Sequence, residues 1–239
     1  MKLCAKILAL TLTIGGVGTA FADPIVLNFE GINSTYPSGF AFINGFYNGG
    51  TSSDGTTGTN YGITFSSNAQ AICLNTPGVT CSNTSRGGLG DPNSQKGGLF
   101  FLSGANTFMD APAGFTTGFS LFYTAIFNTG SLSVYSGVDG TGTLLASLNL
   151  PTTPSNCGGT YNAGFCPFVP IGVSFAGTAQ SISFAGVANQ IVFDDVTFGS
   201  ATPGPQPSAV PEPSTFVLML TAAGAGAGAL RRRVMATQA

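Results

Sequence analysis

Residues 131–150 read SLSVYSGVDGTGTLLASLNL, and this stretch decides the fold class of the chain. Leu132 and Val134 precede a central segment rich in glycine, and four leucines follow it. Asp139-Gly140 and Gly142 supply residues that tolerate a positive φ, which a tight connection between antiparallel strands requires. The stretch therefore predicts a β-hairpin.

The chain on either side of this hairpin has the same short-period pattern. Between the termini, no stretch keeps apolar residues at helical spacing over three turns. Within residues 115–123 one face is apolar and the other is largely polar, as in a half-buried strand. The predicted strands are 24–30, 40–47, 61–66, 70–74, 98–102, 107–110, 115–125, 131–136, 144–150, 169–175, 180–184 and 190–198. This many short strands favours an all-β fold, a jelly-roll-type antiparallel β-sandwich, over a closed barrel.

Charge is scarce in the same region. Residues 23–200 contain two basic residues, Arg86 and Lys96, and eight acidic ones, which gives a net charge of −6. Nucleic acid is excluded as a partner because phosphate contacts require clustered Lys and Arg. The whole chain also lacks histidine, which excludes a Ser-His-Asp or Cys-His site. We predict no catalytic residues.

The N-terminus has the three parts of a secretory signal peptide. Lys2 and Lys6 form a short basic region, residues 7–17 are apolar, and Ala20-Phe21-Ala22 has the small-x-small pattern that signal peptidase accepts. We predict a signal peptide at 1–22 and a β-sandwich domain at 23–199.

The C-terminus combines a short motif, an apolar segment and a basic tip. Residues 200–209 form a proline-rich spacer, which favours an extended chain. Residues 215–230 are apolar and about long enough to span a membrane. The motif before them is Pro211, Glu212 and Pro213, and the basic tip after them is Arg231, Arg232 and Arg233. The basic tip would hold its end in the cytoplasm and leave the domain outside.

The arrangement over 210–239 closely resembles the PEP-CTERM sorting signal of Gram-negative bacteria. The resemblance implies recognition by the membrane protease exosortase, a transient tether in the inner membrane, and delivery to the cell surface or extracellular matrix, where exopolysaccharide and biofilm material are found. The alternative is an ordinary tail anchor with a stiff linker. The order of elements in the domain also resembles, loosely, the jelly-roll modules that PEP-CTERM proteins carry.

Four cysteines remain after signal-peptide removal, an even number in an exported chain. Three disulfide connectivities exist in principle. Pairing the cysteines that are close together in the sequence closes two short loops and places the fewest requirements on the tertiary fold. We therefore favour Cys73 with Cys81 and Cys157 with Cys166. Zinc is the alternative, although neither pair has the spacing of structural zinc sites.

Three carboxylates could meet if the first and last strands lie side by side. Glu30 ends the first predicted strand, and Asp194 and Asp195 lie within the last. Oxygen ligands suit Ca²⁺, so these residues form a candidate structural calcium site. The alternative is that the two aspartates point to opposite faces, with one solvated. Glu30 with Asp194 could also form the carboxylate pair of a glycosidase.

The sequence thus indicates an exported, non-enzymatic β-sandwich protein. The leading function is a glycan-binding or matrix-associated module whose ligand is an extracellular polysaccharide. The alternatives are a purely structural matrix component and a carboxylate-dependent glycoside hydrolase. The chain has no tryptophan, so sugar rings would stack on tyrosine; the candidates are Tyr36, Tyr47, Tyr61 and Tyr161.

Overall fold

The computed structural model describes residues 24–33, 40–79, 81, 86–92, 96–104, 107–158, 164–185 and 188–204. The predicted signal peptide and the sorting segment at 210–239 lie outside these residues. Within them the regular structure is β, apart from one 3₁₀ turn at Val138–Gly140. In the part of the chain that the structure describes, no helix has the length and apolar character of a membrane span.

The described residues form twelve strands, and each predicted strand overlaps an observed one. They are β1 (Ile25–Leu27), β2 (Phe40–Phe42), β3 (Thr64–Phe65), β4 (Ala69–Cys73), β5 (Gly97–Phe101), β6 (Phe108–Phe115), β7 (Gly118–Thr124), β8 (Gly130–Tyr135), β9 (Leu144–Leu150), β10 (Val169–Ser174), β11 (Ala179–Ala185) and β12 (Val192–Phe198).

The strands make two antiparallel sheets. The seven-stranded sheet has the order β10-β7-β12-β5-β4-β2, with β1 also paired to β12, and the five-stranded sheet has the order β3-β6-β11-β8-β9. The chain crosses between the sheets at most connections after β5. The prediction of an antiparallel β-sandwich is confirmed, as is the pairing of the first strand with the last, in which Leu27 lies opposite Val196.

The predicted hairpin is confirmed, with β8 paired to β9. The predicted strand 115–125 was wrong at its start, because Phe115 ends β6 and the chain turns before β7 begins at Gly118. Thr117 at this turn has a φ of 73°, a left-handed conformation that breaks the strand. Alternation alone could not reveal this turn, since Phe115 fits the period of either strand.

Phenylalanine fills the space between the sheets. The rings of Phe101, Phe184 and Phe193 are fully buried and lie with centroids 4.8 to 6.5 Å apart. A second group, Phe115 with Phe198, meets edge to face at 4.9 Å. Aromatic pairs in this geometry add to the free energy gained from burial of their apolar area.

The outer face of the seven-stranded sheet has an apolar cluster of its own. Ile72, Leu74, Phe100, Phe168 and Val192 are buried there beneath the connections that follow β4 and β9. These connections contact each other through parallel bridges between Asn75 and Gly87 and between Arg86 and Phe165. We call the residues that the structure describes within 74–91 and 155–168 the covering layer.

Two disulfides hold the covering layer. Cys73 is bonded to Cys81, and Cys157 to Cys166, so both predicted pairings are confirmed. Arg86 lies between a ring of this layer and a ring of the sheet, with its guanidinium carbon 4.8 Å from the Phe165 centroid and 5.7 Å from that of Phe100 in β5. Arg86 is 7% exposed, and burial lowers its pKa.

The described part of the predicted spacer packs on the domain. Ser120 Oγ donates to the Ser200 carbonyl at 2.9 Å. A Cβ added to Gly172 would lie 2.0 Å from the Ala201 carbonyl oxygen, and one added to Gly118 would lie 2.5 Å from the Ala201 nitrogen. Residues 199–202 therefore cross the outer face of β7 and β10 where only glycine fits.

Candidate functional site

Strand β12 changes neighbours halfway along its length. Its second half pairs with β1, through Val196 to Phe198, and its first half pairs with β5 at Phe193. Between them lies Asp195, whose φ of 45° shifts the register against β7. This bulge opens a gap between the end of β1 and the start of β5.

Glu30 bridges this gap. One of its carboxylate oxygens, Oε1, accepts the backbone N–H groups of Lys96 at 2.8 Å and Gly97 at 3.2 Å. The end of β1 is thereby joined to the first residue of β5 by a side chain instead of a strand ladder. Such charge-assisted bonds hold the carboxylate in one position.

The two aspartates of β12 are both fully buried, with 0% exposure. The Asp195 N–H donates to Asp194 Oδ1 at 2.8 Å. The pKa of Asp194 lies well above its usual range, chiefly because the group is desolvated, and also because it faces the charge of Asp91 and shares a hydrogen bond with that side chain. Asp91, which is 2% exposed, belongs to the covering layer. A carboxyl pair thus joins this layer to the last strand.

The structure does not bring Glu30, Asp194 and Asp195 together as a calcium site. Among the residues it describes, no group of three or more His, Cys, Asp or Glu side chains could hold a metal ion. The alternative prediction, that one aspartate is solvated, is wrong. The bulge at Asp195 breaks the alternation on which that prediction depended, and both side chains are buried.

A cleft lies beside Glu30, on the outside of the chain that follows β1. Its volume is about 360 Å³. Backbone and side chains from the end of β1, from residues 46–47 and from the loop before β3 line it: Val26, Asn28, Glu30, Gly31, Phe46, Tyr47, Thr57, Gly58, Thr59 and Tyr61.

Two tyrosines give the cleft an aromatic wall. Tyr47 is buried, its hydroxyl accepts the Phe29 N–H at 3.0 Å, and burial raises its pKa. Tyr61 is half-buried, and its ring lies 6.2 Å from that of Tyr47 at an interplanar angle of 31°. Tyr47 therefore supports the wall, and Tyr61 presents a ring to the cleft.

Apart from the buried Val26 and Phe46, the rest of the lining is polar or glycine and at least partly exposed. Asn28, Thr57 and Thr59 offer amide and hydroxyl groups, and Glu30 offers a carboxylate. The loop that carries the threonines lies against Phe46: a Cβ at Gly58 would be 2.2 Å from that ring, so glycine is required there. One aromatic ring beside several hydrogen-bonding groups is an arrangement that can hold a small polyhydroxylated ligand.

Some of the predicted site residues line the cleft, and others do not. Tyr61 lines a cleft, Tyr47 is buried behind it, and Tyr36 and Tyr161 lie outside the described residues. Glu30 and Asp194 do not form an accessible carboxylate pair, because Asp194 is fully buried and cannot contact a substrate. The glycosidase hypothesis therefore loses the residues on which it rested.

Sequence reasoning missed Asn28, Thr57 and Thr59 as lining residues and Asp91 as the partner of Asp194. The threonines belong to a loop whose composition is that of an ordinary turn. Asp91 and Asp194 are 103 positions apart, and Gly90-Asp91-Pro92 also has the pattern of a turn. No local pattern distinguishes these residues, since only the tertiary fold brings them to the site.

No protein-family model matches this chain, and no curated protein matches it. Two solved structures are similar to parts of it. One is a carbohydrate binding module (CBM6cm-2) from Cellvibrio mixtus lichenase 5A in complex with cellotriose: identity is 12%, the TM-score is 0.28, and the match covers 49% of this chain and 88% of that one.

The second is the C-terminal CBM6 of LamC, a marine laminarinase from Zobellia galactanivorans. Its identity is 15% and its TM-score is 0.29, and the match covers 54% of this chain and 99% of that one.

Proposed function

We propose that this protein is an exported, non-catalytic module that binds glycans at the cell surface or in the extracellular matrix. The observation that carries the proposal is the cleft beside Glu30, in which the ring of Tyr61 lies among exposed amide and hydroxyl groups. Sugars are held in this way, because their C–H faces pack on aromatic rings while their hydroxyls take hydrogen bonds from the rim.

The dimensions support a short stretch of sugar chain. A volume of about 360 Å³ lies at the lower end of the range for small-molecule sites, roughly 300 to 1,000 Å³. The framework is held firmly, since Glu30 is bonded to two backbone N–H groups and Gly58 packs on Phe46. A site that is already ordered loses little conformational entropy when it binds a ligand.

The absence of catalysis is part of the proposal. The sequence has no histidine, and the buried carboxyl pair of Asp91 and Asp194 lies within the fold, where a glycan cannot reach it. Glycoside hydrolysis requires two carboxyl groups that flank the bond to be cleaved. Of the residues lining the cleft that the structure describes, Glu30 alone carries a carboxylate.

Export and processing rest on the terminal sequences. Signal peptidase would cut after Ala22, and exosortase would act near Pro211 to Pro213 while residues 215–230 hold the precursor in the inner membrane. The two disulfides support an oxidising compartment. Intact-mass measurement of the protein from its native host tests this part: a chain that begins at Met1 and ends at Ala239 would contradict it.

Glycan binding is tested with the purified domain, residues 23–204, on an array of immobilised polysaccharides and oligosaccharides. The variant Tyr61→Ala removes the half-buried ring that lines the cleft. We expect its affinity for the bound glycans to fall at least about ten-fold, equivalent to about 1.4 kcal/mol. The matched control is Tyr135→Ala, which removes a half-buried tyrosine from the other sheet and leaves the affinity unchanged.

A purely structural matrix component is the second candidate. It is favoured by the polar, nearly uncharged surface of the five-stranded sheet, which carries serine and asparagine on β8 and β9. If no glycan binds to the wild-type domain while the mature protein is recovered from the matrix, this second candidate replaces the first.

A further inference from the structure

The charges around the cleft restrict the class of glycan that it can accept. Among the lining residues that the structure describes, Glu30 is acidic and none is Lys or Arg. Glu30 cannot turn away from the cleft without losing the bonds that its Oε1 accepts from the N–H groups of Lys96 and Gly97. A ligand in the cleft therefore meets a carboxylate that is held in place.

The rest of the domain is also negatively charged overall. Counted with every carboxyl ionised, residues 23–200 carry a net charge of −6, and the raised pKa of Asp194 makes this charge less negative without changing its sign. Arg86, one of the two basic residues, is buried between the rings of Phe100 and Phe165. The exposed cation that remains, Lys96, contributes its backbone N–H to Glu30 and is not among the lining residues. The field of the whole domain therefore repels anions and attracts cations.

We infer that the cleft selects glycans that carry free amino groups, disfavours uronate-containing glycans, and binds neutral glycans with intermediate affinity. This inference rests on the proposed glycan-binding function and names its ligand class. An ammonium group within about 4 Å of the Glu30 carboxylate gains about 1 kcal/mol even in water, equivalent to about five-fold in affinity. A uronate carboxylate at the same position loses a similar factor.

Neutral sugars retain the contacts that do not depend on charge. The Tyr61 ring and the hydroxyls of Thr57 and Thr59 are available to any hexose. The ring contact is therefore expected to determine whether a glycan binds, and Glu30 is expected to determine which charge class binds best. This separation makes the two proposals distinguishable by experiment.

The experiment compares three hexasaccharides on the domain 23–204: a glucosamine hexamer, cellohexaose and a galacturonate hexamer. Binding is measured by calorimetry at pH 6 in 20 mM and in 300 mM salt. We expect the glucosamine hexamer to bind at least about five-fold tighter than cellohexaose, and cellohexaose at least about five-fold tighter than the galacturonate hexamer, at low salt. Added salt should narrow both ratios, because it screens exposed charges.

Glu30→Gln is the decisive variant. Its amide oxygen can still accept the N–H groups of Lys96 and Gly97, so the connection between β1 and β5 is kept while the charge is lost. We expect the preference for the glucosamine hexamer to disappear, so that its affinity and that of cellohexaose come within about two-fold of each other. The matched control is Asp139→Asn, which removes one negative charge at an exposed turn that does not line the cleft and should leave the order of affinities intact.

The outcomes separate the two proposals. If none of the three hexamers binds and the array is also blank, the proposed function fails and this inference fails with it. If cellohexaose binds but the galacturonate hexamer binds as tightly as the glucosamine hexamer, the function stands and the inference is overturned. The inference is equally overturned if Glu30→Gln keeps the full preference for the glucosamine hexamer.

Discussion

The outer faces of the two sheets are built differently. The seven-stranded sheet directs Ile72, Phe100 and Val192 outward, and the covering layer buries them together with Arg86 and two disulfides. The five-stranded sheet places serines in register across three strands, with Ser183 opposite Ser133 and Ser133 opposite Ser147, and these remain partly exposed.

The difference shows what the long connections of this domain do. A sheet with serine outside needs no cover, whereas a sheet with phenylalanine outside must have one. The covering layer has little regular structure, and its two disulfides restrict segments that no strand ladder supports. The domain thus has a second, smaller core that depends on irregular chain, and the following tests probe that dependence.

The largest effect is expected from Phe100→Ala. Phe100 is 3% exposed and contacts both Arg86 and the ring of Phe40, so its truncation leaves a cavity under the covering layer. We expect the free energy of unfolding in urea to fall by about 3–5 kcal/mol. Phe40→Ala, on the same face but 48% exposed, is the control and should cost about 1 kcal/mol. Equal losses would show that the covering layer does not bury a core.

The next largest effect is expected from the loss of one disulfide. Replacing Cys157 and Cys166 together by alanine opens a bridge between residues nine positions apart. Because the unfolded chain gains conformational freedom, we expect the free energy of unfolding in urea to fall by about 2–3 kcal/mol. Amide exchange should accelerate in residues 155–168 before it does so in β8 and β9. Uniform acceleration through both sheets would contradict the independence of the covering layer.

A smaller effect is the pH dependence that Asp194 imposes. Because its pKa is raised in the folded protein, the folded state holds this proton more tightly than the unfolded state does. Its contribution to stability is therefore complete below the unfolded pKa, about 4, and is lost as pH rises toward the folded pKa. The slope for one proton is at most about 1.4 kcal/mol per pH unit.

Urea unfolding of the wild type and of Asp194→Asn at pH 4.5, 6.0 and 7.5 measures this contribution. The asparagine side chain does not ionise, so the stability of the variant should fall less than that of the wild type as pH increases. Asp54→Asn, at an exposed turn, should follow the wild type. A wild-type curve parallel to that of Asp194→Asn would show that the buried carboxyl pair does not titrate with folding.

The smallest effect is expected on the uncovered face. Ser133→Ala changes a partly exposed hydroxyl at the centre of β8. Surface substitutions of this kind usually alter the free energy of unfolding by no more than about 0.5 kcal/mol. A fall of more than about 1.5 kcal/mol in the free energy of unfolding, measured in urea, would contradict the contrast between the two sheets. It would indicate that the serine face is covered by other parts of the chain or held by hydrogen bonds.

Sequence reasoning located the strands well because their signal is local. The hairpin of β8 and β9 follows from alternation and from glycine at the turn, and the two disulfides follow from compartment and spacing. The buried carboxyl pair could not be predicted, because Asp91 and Asp194 meet only after β12 has paired with β5 and β7. Of the residues that line the cleft, the sequence singled out Glu30, Tyr47 and Tyr61, whose carboxylate and aromatic side chains stand out among polar neighbours.

Strand β1 also determines how the domain would carry a mechanical load. Val26 lines the cleft and lies opposite Thr197 in β12, only a few residues before the chain leaves the domain at its C-terminal end. Under the proposed export route, tension between a ligand held in the cleft and a tether beyond Gly204 would act on the packing of residues 199–202 against β7 and β10 and on the short β1–β12 seam. The two disulfides would lie outside the path of the force.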